Sequence, residues 1–302
     1  MNKIPLGQTI AFSYAFLVTE IWTVLRICRI PALLVVAVDY LWRRYALHYS
    51  GQGAGSGSTL LDFILPPIGY AVVLLAFSVA AVGVTRAAMG RTLDQSNFYF
   101  PLGQTEWRML SANILYALAV FALSIFALII SMLALVLAGV DFGQAPAGQP
   151  EGLAVLFASF VSAFVFGYVL VVAVRLAFFL PAVVVGENAG LERAYRAAAG
   201  NLWRVFVVFF AVITPVFIAS ALCQVAIIQW SLGEEALAGE AELVFRNVQL
   251  AAAAQPLLWA ACGFVNNIAI MGIVPSAAAF AYMKLKEGEG ETRNVSTPPP
   301  RA

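Results

Sequence analysis

MLSANILYALAVFALSIFALIISMLALVLAGV, residues 109–140, contains no charged side chain from one end to the other. A run of about 18 or more apolar residues is long enough to carry a helix across a hydrocarbon core. A surface helix in water keeps a charged or polar face, and this stretch has no charge to put on one. Four more charge-free stretches lie on either side of it: Phe63–Thr85, Gly152–Val174, Val205–Gly233 and Asn247–Met283. The pattern predicts an all-α polytopic membrane protein, a bundle of six spanning helices with shorter helices at its surface.

Composition agrees. Hydrophobic residues make up 62% of the chain and charged residues 11%, with a mean hydropathy of +0.89. Soluble domains carry about 25% charged residues. The net charge of +1 is too small for a nucleic-acid partner, which needs a dense basic face. Cys28, Cys223 and Cys262 are far apart, and His48 is the one histidine. Neither a structural zinc site nor a disulfide framework is expected, and no cofactor motif is present. Only Lys3 gives the N-terminus a leading charge, and no small-x-small cleavage site follows, so the start is expected to be retained.

Along the chain, residues 7–29 read as an amphipathic helix lying among lipid headgroups, with Thr9, Ser13, Glu20, Thr23 and Arg26 as its polar stripe. The rival reading is a seventh span with Glu20 facing protein. The six spans are expected at about 31–49, 66–88, 110–138, 153–180, 202–230 and 256–283. Pro31 is expected to start the first span and Pro181 to break or kink the fourth. GQGAGSGS, residues 51–58, is a linker without the strand and Lys-Ser/Thr of a phosphate-binding loop. Residues 187–200 suggest a short surface helix between spans four and five, and residues 234–252 an amphipathic external one. The tail, 285–302, is charged, then proline-rich, and is expected to be disordered.

Orientation follows from the basic residues. Lys3, Arg26 and Arg29 precede the first span, and Arg86, Arg91 and Arg108 surround the second connector. Arg193, Arg196 and Arg204 lie near the fourth connector, and Lys284, Lys286, Arg293 and Arg301 follow the last span. The other connectors hold only Arg43, Arg44 and Arg246. The positive-inside rule then puts both termini in the cytoplasm, with Arg43 and Arg44 as the awkward exception. A tryptophan near basic residues precedes each odd span. Interface marking accounts for this as readily as a three-hairpin repeat does.

Few residues suggest chemistry. Arg175 lies between two apolar runs and needs a partner, for which Glu187, Glu106 and Glu192 are candidates. Arg86, Arg175, Glu187, Arg193 and Arg196 could form a structural ion-pair cluster, the simpler reading, or a pocket for anionic phospholipid headgroups. Asn266 and Asn267 in the sixth span and Asp39 in the first are the other intramembrane polar groups. At least one of the asparagines is expected to hydrogen-bond between helices. Asp39 and Arg43 stand four residues apart and can pair on one face. No nucleophile–base set or paired intramembrane carboxylates are visible, so an enzyme is not expected. The leading expectation is a non-enzymatic envelope protein that organises lipid or membrane partners. The alternative is a small-solute transporter with Asn266, Asn267, Pro215 and Asp39 lining a path.

RLAFFLPAVVVGENAGLERAYRAAAGNLWRVF, residues 175–206, resembles a segment of a class of six-helix bacterial inner-membrane proteins. These are similar to the membrane domain sometimes fused to glycerophosphodiester phosphodiesterases. The matching positions are Arg175, Pro181, Glu187, Tyr195, Gly200, Trp203 and Arg204. The resemblance implies an inner-membrane address and a six-helix bundle. It implies no reaction, because the chain carries no phosphodiesterase domain.

Overall fold

The computed structural model describes residues 3–50, 60–91, 99–137, 179–185, 200–237 and 241–295, with positions 160, 161, 163 and 167. Among them every regular element is a helix. These are α1 (Leu6–Thr19), α2 (Ile21–Ser50), α3 (Leu60–Ala88), α4 (Gln104–Leu137), α5 (Phe179–Val185), α6 (Leu202–Leu232), α7 (Ala241–Ala254) and α8 (Pro256–Val295), with a 3-10 turn at Glu234–Leu237. Five of them, α2, α3, α4, α6 and α8, are long and apolar enough to cross a bilayer. The protein is thus a multi-pass, all-α membrane protein. The expected fourth span at 153–180 and the surface helix at 187–200 fall largely outside the described residues.

Several boundaries differ from expectation for physical reasons. Residues 7–29 do not form one helix: the backbone turns at Glu20, and α2 begins at Ile21. Pro31 consequently lies buried inside α2 instead of starting it. Pro181 lies in the first turn of the described helix α5, and the fourth span that it was expected to break or kink lies largely outside the described residues. Helix α8 runs on from the apolar segment to Val295 instead of giving way to an irregular tail at 285. Lys284 pairs there with Glu287 at 2.7 Å, and Lys284 and Lys286 sit over the rings of Phe280 and Tyr282. Such contacts three and four residues apart support a helix that has left the apolar run.

Helix α8 packs against α1, α2, α3 and α6 and forms the centre of the bundle. Close approach depends on missing side chains. A Cβ on Gly272 of α8 would lie 2.9 Å from Val24 and 3.0 Å from Leu17. A Cβ on Gly83 of α3 would lie 2.6 Å from both Ile27 and the ring of Tyr99. Small residues let helix backbones meet where lipid offers no hydrophobic gain for association. Helix α4 packs on α3 and α5 and leaves Leu118, Phe121, Phe126 and Ile129 exposed. That apolar face is ordinary against acyl chains and would be a liability in water. Trp22, Trp107 and Trp203 are exposed in the first turns of α2, α4 and α6, and Trp42 and Trp230 are exposed toward the ends of α2 and α6. Exposed tryptophans near helix ends are what an interfacial aromatic belt uses.

Helix α1 has a role the sequence did not reveal. Its Thr9 and Ser13, expected to face headgroups, are fully buried, and their hydroxyls donate to Pro5 O and Thr9 O in their own helix. The helix instead runs alongside α6. At its start, Ile4 N donates to Asn201 Oδ1 at 3.1 Å, and Arg204 donates to Ile4 O at 2.6 Å. Ten residues on, Tyr14 Oη donates to Ala211 O at 3.0 Å and Val212 O at 3.1 Å. Ala211 stands four residues before Pro215, which has no N–H to give it. The tyrosine therefore supplies the donor that the proline removes. At 14 residues α1 rises only about 21 Å, short of the roughly 30 Å core, so it does not span alone.

Candidate functional site

Charged groups gather at the end of the bundle where α3 stops and α4 starts. Helix α3 closes in a left-handed Gly90, φ +69°. Gly90 N donates to Ala87 O and Arg91 N to Arg86 O, a Schellman ending that a residue with a Cβ would strain. This ending puts Arg86 in the last turn, where the helix dipole favours a cation, and Arg91 just past it. Across the connector, Glu106 lies in the first turn of α4, where the dipole favours an anion. Arg86 Nη1 and Glu106 Oε1 meet at 3.1 Å, and the Glu106 side chain is only 2% exposed. A buried carboxylate of this kind depends on its partner. Tyr99 of the connector packs over Gly83 and Ile27 beside the pair. Burial raises the Tyr99 pKa above its ordinary value; the Arg86 charge opposes that and the Glu106 charge adds to it.

A groove of about 820 Å³ opens next to this pair, between α1, the start of α2 and the end of α3. Its charged lining is Glu20, Arg26 and Arg91. Glu20 accepts a hydrogen bond from Thr23 at 2.9 Å. Arg91 Nη1 donates to Val184 O at 3.3 Å, its one side-chain hydrogen bond among the described residues. Arg26 Nε is buried with no hydrogen-bond partner among the described residues. Phe12, Ala15, Phe16, Ala87 and Ala88 supply an apolar wall. The groove therefore offers two guanidinium groups beside a hydrophobic surface, the chemistry of an anionic amphiphile's headgroup and first methylenes.

Of the residues expected to form this site, Arg86 is present but spent on Glu106. Arg175, Glu187, Arg193 and Arg196 lie outside the described residues. Arg26 and Arg91 take the exposed part. The signal that could have identified them was their position: Arg26 follows the break at Glu20, and Arg91 follows the glycine stop of α3.

The intramembrane polar residues are dispersed. Asp39 pairs with Arg43 at 2.9 Å, as the four-residue spacing predicts, in a recess shared with Gln249 and Trp259. Arg43 lies 5.0 Å from the Trp259 ring centroid and so packs as a cation on an aromatic face. This explains how one of the two misplaced arginines is accommodated. Asn267 donates to Gly263 O of its own helix at 2.8 Å, and Asn266 Oδ1 is buried with no partner among the described residues. Neither makes the interhelical bond expected of one of them among the described residues. That bond comes instead from Asn113 of α4 to Ser78 of α3 at 2.8 Å, a pair the sequence reading passed over. No group of side chains suited to a metal ion occurs among the described residues.

Comparison of the chain with protein-family models, with curated proteins and with solved structures found no match.

Proposed function

We propose that the chain is a non-enzymatic protein of a bacterial inner membrane whose cytoplasmic flank holds anionic phospholipid headgroups. The observation that carries this reading is the groove in which Arg26 and Arg91 stand beside an apolar wall, next to the closed Arg86–Glu106 pair. In this reading both termini are cytoplasmic and residues 153–180 complete a bundle of six spans. The excess of Lys and Arg on that flank and the resemblance of residues 175–206 to six-helix inner-membrane proteins support it.

The transporter reading draws less support. Asp39 belongs to a different recess from Pro215 and Asn266, and Asn267 is bonded within its own helix.

Native mass spectrometry of the protein released from mild detergent, with phosphatidylglycerol or phosphatidylcholine added, tests the proposal. Wild type is expected to retain phosphatidylglycerol preferentially. Arg26→Gln combined with Arg91→Gln is expected to lower that retention about thirtyfold, since each lost charge-assisted contact removes on the order of 1 kcal/mol. Equal retention of both lipids, or no change in the double variant, would remove the reading.

A further inference from the structure

Helices α6 and α8 run antiparallel, and their contacts fix a register. Val208 and Val212 of α6 share an apolar cluster with Ile273 and Ala277 of α8. Nearer the other end of α6, Ile227 and Ile228 cluster with Trp259, and Cys262 packs against that group. Counting from Val212 and Ile273, eleven residues forward along α6 reach Cys223, and eleven back along α8 reach Cys262. Eleven residues make about three turns, so both cysteines return to the faces that meet. The Cys262 thiol accordingly interacts with the Cys223 thiol and with the Ser220 hydroxyl.

The surroundings of the pair differ from those of the third cysteine. Cys28 is fully buried in the core. Cys223 is exposed and Cys262 half-buried, and both line a cleft that holds no Lys, Arg, Asp or Glu. Cys223 lies nine residues before Leu232, and Cys262 six residues after Pro256, about 14 Å and about 9 Å inside the helix ends. At that depth the exposed thiol faces acyl chains. It meets oxidants dissolved in lipid, while charged thiol buffers stay in water. The position also matters mechanically. Pro215 removes a hydrogen bond from α6, and Tyr14 holds the carbonyls of Ala211 and Val212 before it. After the proline, α6 buries only Ile227 and Ile228.

We propose that Cys223 and Cys262 are a redox pair, which a lipid-soluble oxidant of the quinone class converts into a disulfide tying α6 to α8. Two S–H bonds break and one S–S bond forms. The quinone takes up both electrons and both protons and leaves as the hydroquinone. Exposed Cys223 is the thiol the oxidant reaches, and Cys262 closes the bond from the neighbouring helix. The disulfide fixes the part of α6 beyond Pro215, which side-chain packing holds at few points. The oxidant moves through both leaflets, so the inference needs no particular orientation of the chain. It is also independent of whether the basic groove binds anionic lipid.

The test uses the reduced full-length protein in phosphatidylcholine vesicles, kept free of oxygen, with a decyl-substituted benzoquinone added. Thiols are then counted with a maleimide in sodium dodecyl sulfate, and the disulfide is mapped by mass spectrometry. Wild type is expected to fall from three reactive thiols to one, Cys28, with one hydroquinone formed per protein. Cys223→Ser and Cys262→Ser are each expected to form none. Hydrogen exchange of residues 216–232 is expected to be about tenfold slower in the oxidised protein and to recover with a phosphine reductant. Wild type alone reports the disulfide, so the outcome does not depend on either variant folding. Three thiols persisting in wild type would overturn the proposal, as expected of cysteines that only fill space. A quinone thioether on Cys223, or a Cys223–Cys223 bond between two copies, would overturn it as well. Equal exchange in the oxidised and reduced proteins would overturn the tie between the helices.

Discussion

Replacing Tyr14 with phenylalanine removes one oxygen atom and leaves the ring in place, yet it should loosen the attachment of α1 to the bundle. The tyrosine hydroxyl donates to Ala211 O and Val212 O, and Ala211 has lost its helical donor to Pro215. Without the hydroxyl, that carbonyl is left unpaired in an apolar interior. The expected cost is about 1–2 kcal/mol, within the range for a buried polar group deprived of its partner. The test of mechanism is the second background. Pro215→Ala restores an N–H that can reach Ala211 O, so the tyrosine becomes redundant and Tyr14→Phe should then cost less than about 0.5 kcal/mol. The coupling between the two positions is thus about 1 kcal/mol. Reversible unfolding in mixed micelles by sodium dodecyl sulfate titration, followed by circular dichroism, measures all four proteins. Hydrogen exchange of residues 6–19 reports locally, and should rise in Tyr14→Phe alone. A loss that is the same in both backgrounds, or indistinguishable from zero in the wild-type one, would refute the argument that α1 repairs a proline defect.

Other consequences follow from the same packing. Gly83→Ala puts a methyl group 2.6 Å from Ile27 and the Tyr99 ring, and micellar unfolding should show a loss of about 1–3 kcal/mol. Arg86→Ala leaves Glu106 buried and unpaired and should cost about 3 kcal/mol or more by the same assay; adding Glu106→Gln should recover much of it. Because the folded-state pKa of Tyr99 lies above that of the unfolded chain, its contribution is fully present below about pH 10 and lost as pH rises further. Unfolding midpoints measured across that alkaline range should fall less steeply in Tyr99→Phe than in wild type.

The spanning helices were legible in the sequence because hydrocarbon permits so few alternatives. A charge-free run such as Met109–Val140 has to satisfy its backbone within itself, and α4 does. The ends were less legible. Glu20 and Pro31 both signal interruption, and the structure breaks the chain at the glutamate while carrying the proline inside α2. Nothing in residues 7–29 marks Thr9 and Ser13 as buried, since their orientation depends on the partner helices α6 and α8, which lie about two hundred residues away. The Asp39–Arg43 pair could be read because it obeys a local spacing. The Arg86–Glu106 pair joins two helices, so its geometry had to come from the fold, although both residues had been marked as candidates. The basic groove was hidden for the same reason: Arg26 and Arg91 are distant in sequence and share a wall only after α1 and α3 are placed.

The most direct measurement is an experimental structure in nanodiscs containing phosphatidylglycerol, read for density between Arg26 and Arg91. The account predicts a phosphate within about 3–4 Å of both guanidinium groups, with its acyl chains along Phe12 and Phe16. A groove occupied by water alone, or ordered anionic headgroups bound only at the opposite end of the bundle, would contradict it.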